Sequence, residues 1–427
     1  MDIKELENFI QEIYSELKND SRGKVADYIP ELSKVNPDLF SISVCTNDGE
    51  IFNVGDHEVD FCLQSTSKIY SYCIAREKLG QKRVHSHVGY EPSGRAFNAF
   101  VLNKQGLPHN PLINAGAIMV ASLLEPDKEP SERFNLVKNS LEEIAGHIGK
   151  IGFDNSVFLS EKQHADRNTS LAYYMRENGA FKKAISPNEI SENLDLYFQC
   201  CSILINTKIG SVMAATLSNG GICPITKKKL FSNDTVKDCL TLMYGCGMYD
   251  FSGQFSFEIG LPAKSGVSGC IMLVIPNKMG ICIWSPRLDE QGNSVRGIEI
   301  CRKITQRYNF HIFNNMVCKQ NIDVKLPESV LIQQAIGAAS LGDLETIKQL
   351  ENTISLNSAD YDKRTPLHLA ASEGHINVVK YLLAKNVNAN CKDRWGNTPL
   401  SEIEAKQGEN YEKIRNILKQ YLSEIDD

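Results

Sequence analysis

The stretch QSTSKIYSYCIAREKLG, residues 64–80, sets the hydroxyl of Ser65 three positions before the amine of Lys68 at the head of a helical pattern. Ile69, Tyr72, Cys73 and Leu79 fall on one face of that pattern, and Gly80 is available to end it. Residues i and i+3 are neighbours on a helix, so Lys68 can reach the Ser65 hydroxyl. A serine hydroxyl attacks well only when a base takes its proton, and a lysine serves once burial or a nearby cation favours its neutral form. Taken alone, S-x-x-K is a common pattern, most often a capping serine followed by a solvated lysine.

A second stretch changes the weighing. LPAKSGVSGC, residues 261–270, runs Lys264-Ser265-Gly266 into the apolar series Ile271 to Ile275. Serine β-lactamases and penicillin-binding proteins combine S-x-x-K with a later K-[ST]-G at a strand edge, where a backbone N–H helps stabilise an oxyanion. The pair points to acyl transfer through Ser65.

Two hairpins frame these motifs. Leu39 to Val44 alternates as a strand, and Asn47-Asp48-Gly49 turns it into EIFNV (50–54). Late in the chain, Cys270 to Ile275 turns through PNKMG into Ile281 to Trp284, followed by the helix GIEICRKITQRY (297–308). The segment Tyr28-Ile29-Pro30 ends a helical stretch, and helices cover SERFNLVKNSLEEIAGHIG (131–149) and NLDLYFQCCSILI (193–205). A hairpin near each end with helices between them predicts an α+β catalytic domain, one antiparallel sheet plus a helical subdomain in the β-lactamase and penicillin-binding-protein manner.

The last fifth has another rhythm. Thr-Pro-Leu recurs at Thr365 and Thr398, 33 residues apart, and TPLHLA (365–370) fits the ankyrin signature. About three repeats follow, the outer two degenerate as caps. The expected division is a catalytic domain over 1–313, a polar linker over 314–327 and an all-α ankyrin domain over 328–427.

The balance of 46 basic against 52 acidic residues, net −6, gives no basic patch for nucleic acid or an anionic membrane, and neither partner is expected. Thirteen cysteines lie mostly in apolar runs without C-x-x-C spacing. Buried thiols in a reducing cytoplasm are the simpler reading. The first twenty residues read as a charged amphipathic helix rather than a targeting signal, and no apolar run is long enough to span a membrane. His57, His85, His87 and His109 lack metal-ligand spacing, so neither metal nor cofactor is expected.

Between the two catalytic motifs lie PHNPLINAGAIMVASL (108–123), EKQHADRNTSLAYYM (161–175), LYFQCCSI (196–203) and YGCGMYDFSGQF (244–255). Together with YIPEL (28–32), QSTSK and GLPAKSGVSG, these seven ordered motifs closely resemble the serine-dependent glutaminase family over roughly residues 20–310. The resemblance implies hydrolysis of L-glutamine to L-glutamate and ammonia. It makes Ser65 the nucleophile and Lys68 its base, with Tyr28 and Tyr249 beside them and Tyr249 as proton shuttle. It also implies an oxyanion hole from the backbone N–H groups of Ser65 and Val267, and substrate contacts at Asn114, Glu161, Asn168 and Tyr197. A homo-oligomer, dimer or tetramer, is expected with it, and a protein partner is expected through the ankyrin repeats.

The residue chemistry agrees. An amino-acid substrate carries an α-ammonium that a carboxylate such as Glu161 would hold, and an α-carboxylate that wants the donors of Asn114, Asn168 and the tyrosines. Singly, each residue has a plainer reading: Asn114 a helix cap, Glu161 and Asn168 loop polars, Tyr197 core, Lys264 a solvated lysine. The chain looks like a compact bacterial form with an ankyrin tail and without the long leading segment of animal enzymes. Ala99 stands about where those enzymes carry an activation-loop lysine, which puts phosphate activation in doubt. The competing readings are a cytosolic β-lactam or peptide-ester hydrolase, and an ankyrin scaffold carrying an inactive enzyme domain.

Overall fold

The computed structural model describes residues 3–96, 98–314, 328–351 and 353–426. Apart from Asn314, the linker expected at 314–327 lies outside the described residues. The chain divides into two compact units, residues 2–320 and residues 321–427.

The first unit is built on a five-stranded antiparallel sheet ordered β2-β1-β8-β7-β6. Its strands are β1 (Ser41–Thr46), β2 (Ile51–Gly55), β6 (Ala263–Gly266), β7 (Cys270–Ile275) and β8 (Met279–Trp284). The turn at Asn47-Asp48-Gly49 joins β1 to β2, and β1 pairs on its other side with β8, Ser41 opposite Trp284. Both ends of the unit therefore meet in one sheet, as the two hairpins predicted.

Strands β1, β7 and β8 are buried along their whole length rather than on alternate residues. Helices cover both faces: α10 (Thr207–Ser218) on one, and α1 (Ile3–Leu17) with α13 (Val295–Tyr308) on the other. A sheet covered twice reads as a continuous apolar run, which explains CIMLVI. Helix α10 sits so close to β8 that a Cβ at Gly280 would lie 2.0 Å from the Ala215 nitrogen.

The helical layer includes α3 (Ser67–Leu79), α5 (Asn114–Leu123), α6 (Pro130–Ile144), α9 (Pro187–Cys201) and α11 (Asn233–Cys246), sharing one large apolar core. Helix α3 is buried on every side from Ser67 to Ala75, so its sequence carries no one-sided stripe, and Leu79 is exposed.

Several expectations are corrected. Pro30 opens the short helix α2 (Pro30–Ser33) rather than ending one, because proline at the first helical position gives up an N–H that has no partner there. The helix in NLDLYFQCCSILI stops at Cys201, and its β-branched tail becomes β5 (Ile203–Ile205). That strand pairs with β3 (Phe61–Cys62) and β4 (Gly152–Phe153) in a second, three-stranded sheet. Lys264-Ser265-Gly266 is itself the edge strand β6, with β7 beginning after the turn at Val267. The strand expected over 39–44 is shifted to 41–46.

The second unit contains three helix pairs: Glu328–Leu341 with Leu344–Leu350, Pro366–Ser372 with Ile376–Ala384, and Pro399–Glu402 with Glu409–Asp426. The repeated threonine starts a helix each time. Thr365 N–H donates to His368 Nδ1 at 3.1 Å, and Thr398 N–H to Ser401 Oγ at 2.8 Å. His368 Nε2 lies 3.2 Å from the Asn397 carbonyl, tying one repeat to the next.

Gly280→Ala should destabilise the first unit by about 3 kcal/mol, the upper range for an extra methyl forced into a packed interior. The chain has two tryptophans. In a Trp395→Phe background, urea unfolding followed by the fluorescence of Trp284 should show the lowered midpoint.

Candidate active site

Ser65 lies in the 3₁₀ turn Gln64–Thr66 that leads directly into α3. Gln64 takes a left-handed φ of +48°, turning the chain sharply from β3 into the helix. One turn later Lys68, 2% exposed, extends its Nζ to Ser65 Oγ at 3.1 Å and to Asn114 Oδ1 at 2.7 Å. Burial pulls the Lys68 ammonium down to about 8, partly opposed by attraction to Cys201 and Glu161. A neutral amine has one lone pair. It can accept the Ser65 proton while donating to Asn114.

Asn114 is the first residue of α5, yet its side chain caps nothing. Its Oδ1 also accepts from the Tyr197 hydroxyl at 3.2 Å, and its Nδ2 donates to Asn168 Oδ1 at 3.0 Å. The amide is thereby fixed with its oxygen toward Lys68. Asn168 stands on α8 (Asp166–Glu177) and Tyr197 on α9, so three helices converge on one side chain.

Glu161, near the end of α7 (Asn155–Gln163), is 6% exposed, and its Oε1 accepts from the Tyr28 hydroxyl at 2.6 Å. Burial raises its carboxyl, while Tyr28, Gln64 and Lys68 hold it partly down. Tyr28 also donates to Gln64 Oε1 at 3.0 Å, so its hydroxyl bonds the residue before Ser65 rather than Ser65. Tyr28 as a whole is half exposed.

Tyr249 comes from a 3₁₀ turn over Tyr249–Phe251, and its hydroxyl interacts with Ser65. Burial pushes that hydroxyl well above the ordinary phenol range, so it stays protonated. Lys264 is not solvated: it is fully buried, with its Nζ 2.5 Å from the Ser265 carbonyl and 4.5 Å over the Tyr249 ring.

Strand β6 packs against the Ser65 turn, and a Cβ at Gly266 would lie 3.0 Å from the Leu63 carbonyl and 3.2 Å from Thr66 Cγ2. Glycine there lets the strand end close on the turn. The next N–H, that of Val267, donates to no backbone carbonyl among the described residues.

Of the nine residues singled out from sequence, Ser65, Lys68, Asn114, Asn168 and Tyr197 are hydrogen-bonded in series, Tyr28 bonds Glu161, Tyr249 interacts with Ser65, and Val267 follows β6 in the next turn. Reading motifs missed Gln64. It is 2% exposed and leans on Glu161, yet its amide nitrogen has no hydrogen-bond partner in good geometry among the described residues. Only its place before Ser65 could have flagged it. No group of three or more His, Cys, Asp or Glu suited to a metal ion occurs among the described residues.

Chemically, the site joins a hydroxyl, an amine whose burial favours its neutral form, a phenol and a buried carboxyl group. Labelling of Ser65 by a fluorophosphonate should accelerate about tenfold per pH unit up to about pH 8 and then level off, because only the neutral Lys68 accepts a proton. Mass spectrometry of the labelled peptide gives the rate.

Comparison with known proteins follows the same lines. The glutaminase family profile matches residues 23–313, and one for three ankyrin repeats matches 335–426. The chain is 46% identical to the mitochondrial liver isoform of glutaminase from Mus musculus over 408 residues, 94% of this chain and 67% of that protein. It is 45% identical to a glutaminase of Nostoc sp. over 308 residues, 72% of this chain and 90% of that protein. Among solved structures, probable glutaminase ybaS superposes with a TM-score of 0.69 at 32% identity, covering 73% of this chain and 99% of that one. Mglu in its glutamate form gives 0.66 at 33% identity, covering 72% and 69%.

Proposed function

The chain belongs to the glutaminase family and is an amidohydrolase, and we propose that it cleaves L-glutamine through a γ-glutamyl ester on Ser65. The observation that carries this reading is the buried Lys68 amine, 3.1 Å from Ser65 Oγ.

In the proposed sequence, Lys68 takes the Ser65 proton as Oγ attacks the side-chain amide carbon. The oxyanion that forms faces the N–H groups of Ser65 and Val267. The C–N bond breaks as the Tyr249 hydroxyl gives a proton to the departing nitrogen, and Lys68 returns one to Tyr249. Ammonia leaves, water attacks the ester with its proton taken by the same network, and L-glutamate is released. The high Tyr249 value supports a relay through a neutral hydroxyl rather than a standing phenolate.

Glu161 takes the α-ammonium, which favours its ionised form and offsets the cost of burying it. Asn114 and Asn168 supply amide donors around the α-carboxylate, Tyr197 would turn its hydroxyl from Asn114 toward it, and the Gln64 amide adds another. A β-lactam or peptide-ester hydrolase would share Ser65, Lys68 and Lys264 but has no use for a buried carboxylate at this place. The Mglu structure in its glutamate form supports the product assignment by likeness.

No helix among the described residues is long and apolar enough to cross a membrane. We place the enzyme in the cytoplasm, supported by free thiols at the twelve described cysteines, although the mouse relative is named mitochondrial. A dimer or tetramer is part of the proposal, supported by the open Phe257 and Phe313 of the catalytic unit. A protein partner on the repeats is supported by the open Tyr361 and Trp395.

Ser65→Ala should lower kcat for ammonia release from L-glutamine by several orders of magnitude, as loss of a nucleophile does. Near wild-type turnover would sink the acyl-enzyme. The proposed division into domains 1–313, 314–327 and 328–427 predicts that a chain ending at Pro327 stays folded and keeps most of its kcat/KM. Loss of turnover in the still-folded truncated protein would instead give the repeats a part in the active site.

A further inference from the structure

Tyr249 stands at φ +55°, a left-handed conformation that a bulky side chain adopts only when its surroundings hold it there. Two side chains from different elements do so. Ser252, 5% exposed and first in α12 (Ser252–Glu258), accepts from the Met248 N–H at 2.9 Å and donates to the Tyr249 carbonyl at 2.7 Å. One hydroxyl thus clasps the backbone on both sides of the tyrosine.

Asn293, fully buried, donates from Nδ2 to the Met248 carbonyl at 3.4 Å. Its own position is set by Asp289, whose Oδ1 accepts the N–H of Gln291 and of Asn293, each at 2.9 Å, and whose N–H donates back to the Asn293 carbonyl at 2.8 Å. Gly292, in that same turn, faces the Tyr249 ring, and a Cβ there would lie 3.8 Å from it. Met248, the residue before Tyr249, is therefore held at its N–H by Ser252 and at its carbonyl by Asn293, and the ring is backed by the loop that carries Asn293.

We propose that Ser252 and Asn293 are positioning residues for the hydrolysis, holding Tyr249 in its left-handed conformation so that its hydroxyl meets Ser65. Neither bonds Ser65 or Lys68, so each acts only through Tyr249. The inference rests on the reading of Tyr249 as proton relay. It assigns to the DFS stretch after Tyr249, and to a loop more than forty residues downstream, a part in the chemistry. A misplacement of a reacting group by about 1 Å can cost on the order of a hundredfold in rate.

The test is a double-mutant cycle on the full chain, with kcat and KM for L-glutamine measured for Ser252→Ala, Asn293→Ala and Tyr249→Phe singly and in pairs. Ser252→Ala and Asn293→Ala should each lower kcat about tenfold to a hundredfold and leave KM within about twofold. In the Tyr249→Phe background, the same substitutions should cost less than about twofold more, since residues acting as one unit are not additive. If Ser252→Ala does not fold, judged by fluorophosphonate labelling of Ser65, the Asn293→Ala arm carries the cycle. Wild-type kcat in both single variants beside an impaired Tyr249→Phe overturns the proposal and leaves the Tyr249 role standing. Equal losses with and without the tyrosine hydroxyl mean a general structural part and overturn it too. A fully active Tyr249→Phe removes the Tyr249 reading itself, and this inference with it.

Discussion

Taking the Lys68 amine out of water is the constraint on which the catalytic unit depends. A buried ammonium loses several kcal/mol of hydration that only a well-placed partner returns. The partners of Lys68 return too little, since Glu161 attracts the charge but does not touch it, and Asn114 offers a neutral oxygen. Burial wins, and the amine is pulled down to about 8, where half of it is neutral. The same burial acts on Glu161 with the opposite sign, raising its carboxyl. One buried pocket therefore shifts two groups of opposite charge toward neutrality, freeing a lone pair on Lys68 and leaving at Glu161 a cost that a cationic substrate group would offset.

Holding that pocket dry and in register takes most of the unit. Helix α3 is buried on all sides from Ser67 to Ala75, which keeps Lys68 covered. The Asn114 amide is fixed by α8 and α9, which determines where the amine points. On the facing wall, β6 is held at the sheet edge by β7 and by the Ser265 N–H bonded to the Gly247 carbonyl at 3.0 Å. Close helix-to-strand contact at Gly280 sets the height of the sheet against the helical layer. Packing constraints far from Ser65 thus set how closely the end of β6 approaches the Ser65 turn.

Much of this was legible in the chain. Turn chemistry at Asn47-Asp48-Gly49 and the apolar runs after Gly269 gave both hairpins, and the 33-residue recurrence of Thr-Pro-Leu gave the repeats. The S-x-x-K spacing brought the Lys68 amine to the Ser65 hydroxyl and K-S-G lies at the sheet edge, because these depend on local helix and strand geometry. What the chain concealed was long-range. The three-stranded sheet pairs segments some 140 residues apart through strands of two or three residues, too short for any periodic signal. Lys264 reads as an edge lysine until the Tyr249 ring covers it. Gln64 belongs to no motif of its own chemistry; its role follows from meeting Tyr28 and Glu161 in space.

A covalent intermediate at Ser65 is what most directly separates this mechanism from any other. Rapid mixing of the full chain with L-glutamine, acid quench within a turnover and peptide mapping by mass spectrometry should find one γ-glutamyl group, on the peptide that contains Ser65 and on its hydroxyl. The modified fraction should vanish in Ser65→Ala. Steady turnover with no acylated peptide at any quench time, or a γ-glutamyl group on another side chain, would contradict Ser65 as nucleophile and Lys68 as its base.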